Sequence, residues 1–376
     1  MIFERKIEAK IKKYLFQGDV IVIYGARQVG KTVLVKKMLE EYGKNGKYIN
    51  CELEQNRLAL GTTNSEKLRM FLGKQRIIVL DGAQKVDNVG SVLKILVDEF
   101  PETQIIATGS SSFELARGIS EPLTGRTKTF LLLPLSVEEI RGRSTLIEVE
   151  ARLEGLLRFG SYPKVLGKTN EEARFELEEL GSKYLFRDTL EFEGIKKSAL
   201  VTRLLQLLAL QIGGEVSFEE IATKLGINRL TVMKYIDVLE QAFVIFKLNS
   251  FSRNLRDEVS KSVKIYFWDL GVRNYLIQSF NELELRDDVG RLWENFCIGE
   301  RMKFNKNNLN FANSYFWRTY GQKEIDYVEE AGGKLTGFEF KWGADKWRVP
   351  GSFLETYGGS RVEVVNRDNW WEFVGG

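Results

Sequence analysis

Between residues 20 and 133, short apolar runs alternate with segments of helical period. The runs at 20–24, 47–51, 76–81, 104–108 and 128–133 are continuous, and each is bounded by Gly, Asp, Ser or Pro. Continuous apolar strands are buried on both faces, as in a parallel sheet covered by helices. From 151 to 197 the pattern turns helical and charged, with one break at 160–163. Residues 218–225, a turn at Gly226 and residues 228–241 then read as a helix-turn-helix. Strand-like runs at 243–248 and 263–268 suggest a winged version. On the second of these helices Leu230, Met233, Ile236 and Leu239 recur at helical spacing and are expected in the core. Arg229, Thr231 and Lys234 are left outward. From 287 the order is helix, strand, hairpin, helix, strand.

One segment carries chemistry by itself. Gly25-Ala26-Arg27-Gln28-Val29-Gly30-Lys31-Thr32 fits G-x-x-x-x-G-K-[ST], follows an apolar strand and opens a helix. Glycines let backbone N–H groups turn inward around phosphates, and the helix N-terminus adds partial positive charge. All eight residues are expected to cradle a nucleoside triphosphate such as ATP. Lys31 should reach the β- and γ-phosphates, and the Thr32 hydroxyl should ligate Mg²⁺. The run 76–81 ends in Asp81, placed to hold Mg²⁺ through water. The next run ends in Gly109-Ser110-Ser111-Ser112, polar residues suited to sensing the γ-phosphate.

Composition narrows the rest. A chain of 376 residues is too long for one ordinary domain, and 43% apolar residues argue against disorder. With no histidine, a His general base, a Ser-His-Asp triad and His-ligated zinc are excluded. Cys51 and Cys297 stand too far apart for a CxxC motif and read as reduced thiols of a cytoplasmic protein. The net charge of +3 permits a local nucleic-acid patch without demanding one. No apolar stretch reaches signal-peptide or membrane-span length, so no membrane partner is expected.

Further motifs stand in order. Leu80-Asp81-Gly82-Ala83-Gln84, Thr108-Gly109-Ser110, Leu123-Thr124-Gly125-Arg126 and Pro134-Leu135-Ser136 come first. Gly160-Ser161-Tyr162-Pro163, Lys264-Ile265-Tyr266-Phe267-Trp268-Asp269, Trp293-Glu294-Asn295, Trp317-Arg318-Thr319, Glu324-Ile325-Asp326 and Glu339-Phe340-Lys341 follow. In this series the chain resembles, over nearly its whole length, the prokaryotic AAA+-type ATPases whose P-loop domain precedes a C-terminal domain of unknown function. The resemblance implies that Arg126 faces the γ-phosphate, in its own subunit or a neighbour's. The family pattern at the strand end is Asp-Glu-x-Gln, and Gly82 stands where that glutamate would activate the attacking water. Losing a positioned base costs roughly 10²–10⁴ in rate. The resemblance therefore implies weakened hydrolysis, unless Glu121 or Gln84 positions the water.

Residues 323–329 and 335–341 flank Ala331-Gly332-Gly333-Lys334, a hairpin signal. A turn centred on Gly332-Gly333 sets Asp326 opposite Glu339 and Glu324 opposite Lys341. Ile325, Tyr327, Phe338 and Phe340 then share the other face. Opposed carboxylates repel unless a cation lies between them. The arrangement resembles the PD-(D/E)XK nuclease core. That likeness implies Asp326 and Glu339 as ligands of a divalent metal, with Glu294 from the preceding helix joining them. It implies Lys341 acting on water or developing charge.

The expected architecture is α/β in three parts. A P-loop NTPase parallel sheet spans 1–150, a helical region with a winged helix spans 151–286, and a small α/β nuclease-like domain spans 287–376. The expected function is that of an AAA+-type protein that binds ATP and Mg²⁺ and couples nucleotide state to a DNA-associated nuclease-like domain. The alternative is a non-enzymatic ATP-dependent regulator or assembly module, acting as a homo-oligomer or on a protein partner.

Overall fold

The computed structural model describes residues 3–110, 123, 125–142, 144–183, 198–252, 262–343 and 348–375. Ser111, Ser112, Glu121 and Thr124 lie outside the described residues. The chain divides into two compact units, the first built on Met1–Pro134 and the second beginning at Leu135.

In the first unit five strands form a parallel sheet of order β2-β3-β4-β1-β5. They are β1 (Val20–Tyr24), β2 (Gly46–Asn50), β3 (Ile77–Asp81), β4 (Gln104–Gly109) and β5 (Thr127–Leu131). Every residue of β1, β3 and β4 is buried, which is why these runs are continuously apolar. Helices Lys31–Glu40 and Val89–Glu99 bury Leu34, Val35 and Met38, and Val92, Leu93 and Leu96. Because all pairings are parallel, the segments after β1, β2, β3 and β4 emerge on one edge of the sheet. That edge is where ligands of open α/β sheets bind.

The second unit holds a six-stranded mixed sheet of order β11-β10-β9-β8-β6-β7. Its strands are β6 (Ile245–Ser250), β7 (Val263–Phe267), β8 (Asn313–Arg318), β9 (Glu324–Ala331), β10 (Lys334–Phe340) and β11 (Arg361–Val365). The two strands expected as a wing therefore belong to the same sheet as the C-terminal hairpin. β6 pairs in parallel with β8, so the sheet draws on both sides of the expected 286/287 boundary. Residues after Pro134 also turn to this unit. Leu135 N–H donates to Ser161 O at 3.0 Å and Val137 N–H to Glu300 Oε2 at 2.7 Å. The first unit thus stops short of residue 150.

Two details differ from the sequence reading. Leu230 is 74% exposed, and Val232, Ile236 and Leu239 form the buried stripe of helix Arg229–Gln241. Leu230 sits in the first turn, ahead of the stretch that packs. In the hairpin, the pairs from Lys334↔Ala331 to Phe338↔Tyr327 have the expected register. A register shift between β8 and β9 at Tyr315/Trp317 breaks the alternation. Ile325 packs with Trp317, Val328 and Leu335, while Tyr327 meets Phe338 and Phe373. Among the described residues no helix is long and apolar enough to cross a membrane.

Candidate functional site

The loop after β1 needs unusual backbone. Gly25 has φ 154°, and a Cβ there would lie 2.0 Å from Leu132 O. Gln28 adopts φ 62° and Gly30 φ 100°, the left-handed region that turns successive N–H groups inward. Lys31 opens the helix and folds back over the loop, its Nζ donating to Gly25 O and Ala26 O at 2.7 Å each. Arg5, which the motif search missed, is buried and braces this loop from the N-terminal segment. Its guanidinium donates to Val29 O and to Leu133 O, both at 2.7 Å.

Asp81 ends β3 among hydroxyl groups. Thr32 Oγ1 donates to Asp81 Oδ2 at 2.7 Å, Tyr48 Oη donates to the same oxygen at 2.6 Å, and Thr108 Oγ1 donates to Oδ1. Burial, then the hydrogen bond to the Asp81 carboxylate and its charge, push the Tyr48 phenol well above its ordinary value, so it stays a donor. Thr32 and Asp81 thus stand together as the hydroxyl and carboxylate a phosphate-bound Mg²⁺ requires, and the donor set fits that ion. Gln84 Nε2 reaches Ser110 Oγ at 3.2 Å, joining the ends of β3 and β4.

Arg126 corrects one expectation. Its carbonyl accepts from Val20 N–H, and its guanidinium pairs with Asp98. It stands at the start of β5, beside the start of β1, whereas the phosphate loop follows the end of β1. Five residues of strand, about 16 Å, separate the two, so Arg126 does not face the phosphates of its own chain.

In the second unit the carboxylates of the hairpin and of helix Val289–Asn308 gather around lysines. Glu339 is buried. Its Oε1 takes Lys341 Nζ at 2.9 Å, and its Oε2 has no hydrogen-bond partner among the described residues. Burial, then the neighbouring Asp326 charge, push the Glu339 carboxyl up to about 7. Asp326, also raised by burial, accepts Phe340 N–H on Oδ2 at 3.0 Å. Glu294 Oε1 accepts from Tyr266 Oη at 2.5 Å and from Lys264 Nζ at 3.2 Å.

Glu324 does not pair with Lys341 as the flat hairpin suggested. It pairs with Lys264 and lies 3.7 Å from Arg318. Lys264, 1% exposed, is a second residue whose role the sequence does not disclose. Its signal is a lone charge inside the apolar run of β7. With Glu294 held by Lys264 and Tyr266, no group of three or more carboxylates or thiols suited to a metal occurs among the described residues. Asp326 and the unpartnered oxygen of Glu339 remain, and a hydrated divalent ion can be held by two carboxylates.

Other motifs have structural work. A Cβ on Gly160 would lie 2.2 Å from the Asp269 carboxylate, which takes Ser161 N–H at 2.6 Å and caps the helix Leu270–Leu276. Asn295 exchanges two hydrogen bonds with the backbone of Phe267, at 2.9 and 2.8 Å.

Residues 17–141 match the family model of the AAA domain. Residues 150–283 match a domain of unknown function (DUF8612), and residues 289–355 match another (DUF4143). The first match takes in the phosphate loop and Asp81, so this part of the chain is similar to AAA-type P-loop ATPase domains. An uncharacterized protein of Mycobacterium tuberculosis is 27% identical over 345 residues, covering 91% of this chain and 74% of that protein. One from Methanocaldococcus jannaschii is 29% identical over 319 residues, covering 80% and 69%. The Pif1 helicase from Candida albicans gives a TM-score of 0.28 at 15% identity over 48% of each chain. Drosophila ORC bound to DNA gives 0.25 at 15% identity over 70% of this chain and 91% of that one.

Proposed function

We propose that this AAA-type P-loop ATPase binds ATP–Mg²⁺ in its first unit and hydrolyses phosphodiester bonds of DNA in its second, with nucleotide state controlling cleavage. The observation that carries the second half is Glu339. It is a buried carboxylate beside Asp326, with one oxygen on Lys341 and the other without a partner. Burying an unpaired carboxylate oxygen is costly, and a divalent ion between Asp326 and Glu339 offsets that cost. When bound, such an ion polarises a phosphate and makes water a better nucleophile. Lys341 is half-buried and places its ammonium at this pair, where it counters charge developing on the phosphate. Arg229 and Lys234 on the exposed face of helix Arg229–Gln241 offer phosphate contacts for orienting a duplex.

In the first unit, Lys31 and the loop N–H groups bind the phosphates, and Thr32 with Asp81 holds Mg²⁺. The test is cleavage of supercoiled plasmid in Mg²⁺ or Mn²⁺, with and without ATP. Lys341→Ala and Lys31→Ala serve as the two controls. Nicking that needs Lys341 and responds to ATP through Lys31 supports the reading. Intact plasmid in every condition refutes it. A second reading, a nucleotide-dependent regulator or assembly module, is favoured by the Lys264 ammonium, which already neutralises part of the carboxylate cluster. ATP-dependent self-association without cleavage would select it.

A further inference from the structure

Asp81-Gly82-Ala83-Gln84 leaves the phosphate site without the carboxylate found at that strand end in the ATPases it resembles. The neighbouring strand carries one. β2 and β3 are parallel with Asn50 opposite Asp81. The pairing continues one residue further, Cys51 N–H donating to Asp81 O at 2.8 Å. Glu52 is thereby delivered beside Gly82, and Asn50 Oδ1 fixes the turn by accepting Glu52 N–H at 2.9 Å.

A Cβ built on Gly82 would meet one atom within 4 Å, Glu52 Cγ at 3.7 Å. The Glu52 side chain therefore lies in van der Waals reach of the position a side chain at residue 82 would start from. Tyr48 of β2 donates its hydroxyl to the same Asp81 oxygen as Thr32. Glu52 is exposed, and among the described residues no ion pair engages its carboxylate. A solvated turn glutamate would share that exposure. The contact with Gly82 sets Glu52 at the level of Asp81, on the sheet edge that carries the phosphate loop.

We propose that Glu52 is the catalytic base of ATP hydrolysis, supplying from β2 the carboxylate that Gly82 lacks on β3. The proposal rests on the reading that the loop 25–32 binds ATP–Mg²⁺. The water oxygen forms a bond to the γ-phosphorus as the bond from that phosphorus to the β–γ bridging oxygen breaks. ADP leaves with the electron pair, and the water proton passes to the Glu52 carboxylate and then to solvent. Turnover is then not weakened by Gly82, contrary to the expectation from the motif alone.

The experiment uses the full chain and follows three quantities. These are phosphate release at saturating ATP–Mg²⁺, affinity for ATP–Mg²⁺, and the ATP-to-ADP ratio of nucleotide retained after a single loading. Glu52→Gln should lower kcat at least about 100-fold, within the range for loss of a positioned base. Affinity should stay within about threefold, and the retained nucleotide should shift to ATP. Adding Gly82→Glu to that variant should recover at least about tenfold in kcat, because the second carboxylate starts from a position in contact with the Glu52 side chain. A Glu52→Gln chain with kcat within about threefold of the unmodified protein overturns the proposal. So does a fall in affinity that accounts for the whole loss, or an unmodified chain that binds ATP and releases no phosphate. Absence of ATP binding in the unmodified chain sinks the phosphate-loop reading itself, and this proposal with it.

Discussion

Removing the charge of Glu339 should flatten the pH dependence of the second unit. Its carboxyl ordinarily titrates near 4.5 and here is pushed up to about 7, chiefly by burial and then by Asp326, against the pull of Lys341. A raised carboxyl binds its proton more tightly folded than unfolded, so stability falls as pH rises. The penalty is absent below pH 4.5, grows between 4.5 and 7, and is complete above 7. At 1.36 kcal/mol per unit the full penalty is on the order of 3 kcal/mol, shared with Asp326 because the two interact. Glu339→Gln carries no such penalty.

In EDTA the two proteins should be about equally stable near pH 5, and the variant should be the more stable near pH 8. All seven tryptophans lie between residues 268 and 371, so tryptophan fluorescence during urea unfolding reports this unit alone. Mn²⁺ should reverse the order at pH 8, because at 1,000 times Kd an ion specific to the folded state adds about 4.1 kcal/mol, more than the penalty. The measurement belongs in a Lys31→Ala, Asp81→Asn background, which removes the ion site of the first unit. A wild-type minus variant difference that does not change from pH 5 to 8, or equal stabilisation of both by Mn²⁺, would refute the reasoning.

Three further outcomes are expected. Lys31→Ala should abolish most of the thermal stabilisation by ATP–Mg²⁺, read by scanning fluorimetry, and an unchanged shift would remove the phosphate-loop assignment. Arg5→Met should weaken ATP affinity about tenfold or more, because it unties the carbonyls of Val29 and Leu133 from one guanidinium; equilibrium binding measures it, and full affinity would show the brace to be dispensable. Lys341→Ala should lose Mg²⁺-dependent plasmid cleavage while calorimetry still detects Mn²⁺ uptake, and joint loss of both would make the lysine a structural partner of Glu339.

The parts of this molecule legible in the sequence are those whose cause is local. Strands β1, β3 and β4 are buried on both faces, so their own residues announce them. The phosphate loop needs Gly25 and Gly30 at fixed spacing because the backbone itself wraps the ligand. The hairpin register followed from Gly332-Gly333, both at positive φ. What stayed hidden depends on which strands become neighbours. Arg5 braces a loop 24 residues away, and Lys264 meets Glu324 across a sheet whose order β9-β8-β6-β7 no local pattern encodes.

Ile325 leaves the face that strict alternation gives it because alternation holds only in an unbroken ladder, and between Val328 and Ile325 β9 carries one residue more than β8 does opposite. Glu52 belongs to the same class. In the sequence it is one of many exposed acids, and only the pairing of Asn50 with Asp81 brings it to Gly82. A catalytic group displaced from one strand end to the next is invisible to a motif search, since the motif records the strand it left. Parallel neighbours deliver their ends to the same edge, so a missing strand-end carboxylate is best sought on the adjoining strand, within a residue or two of the same level.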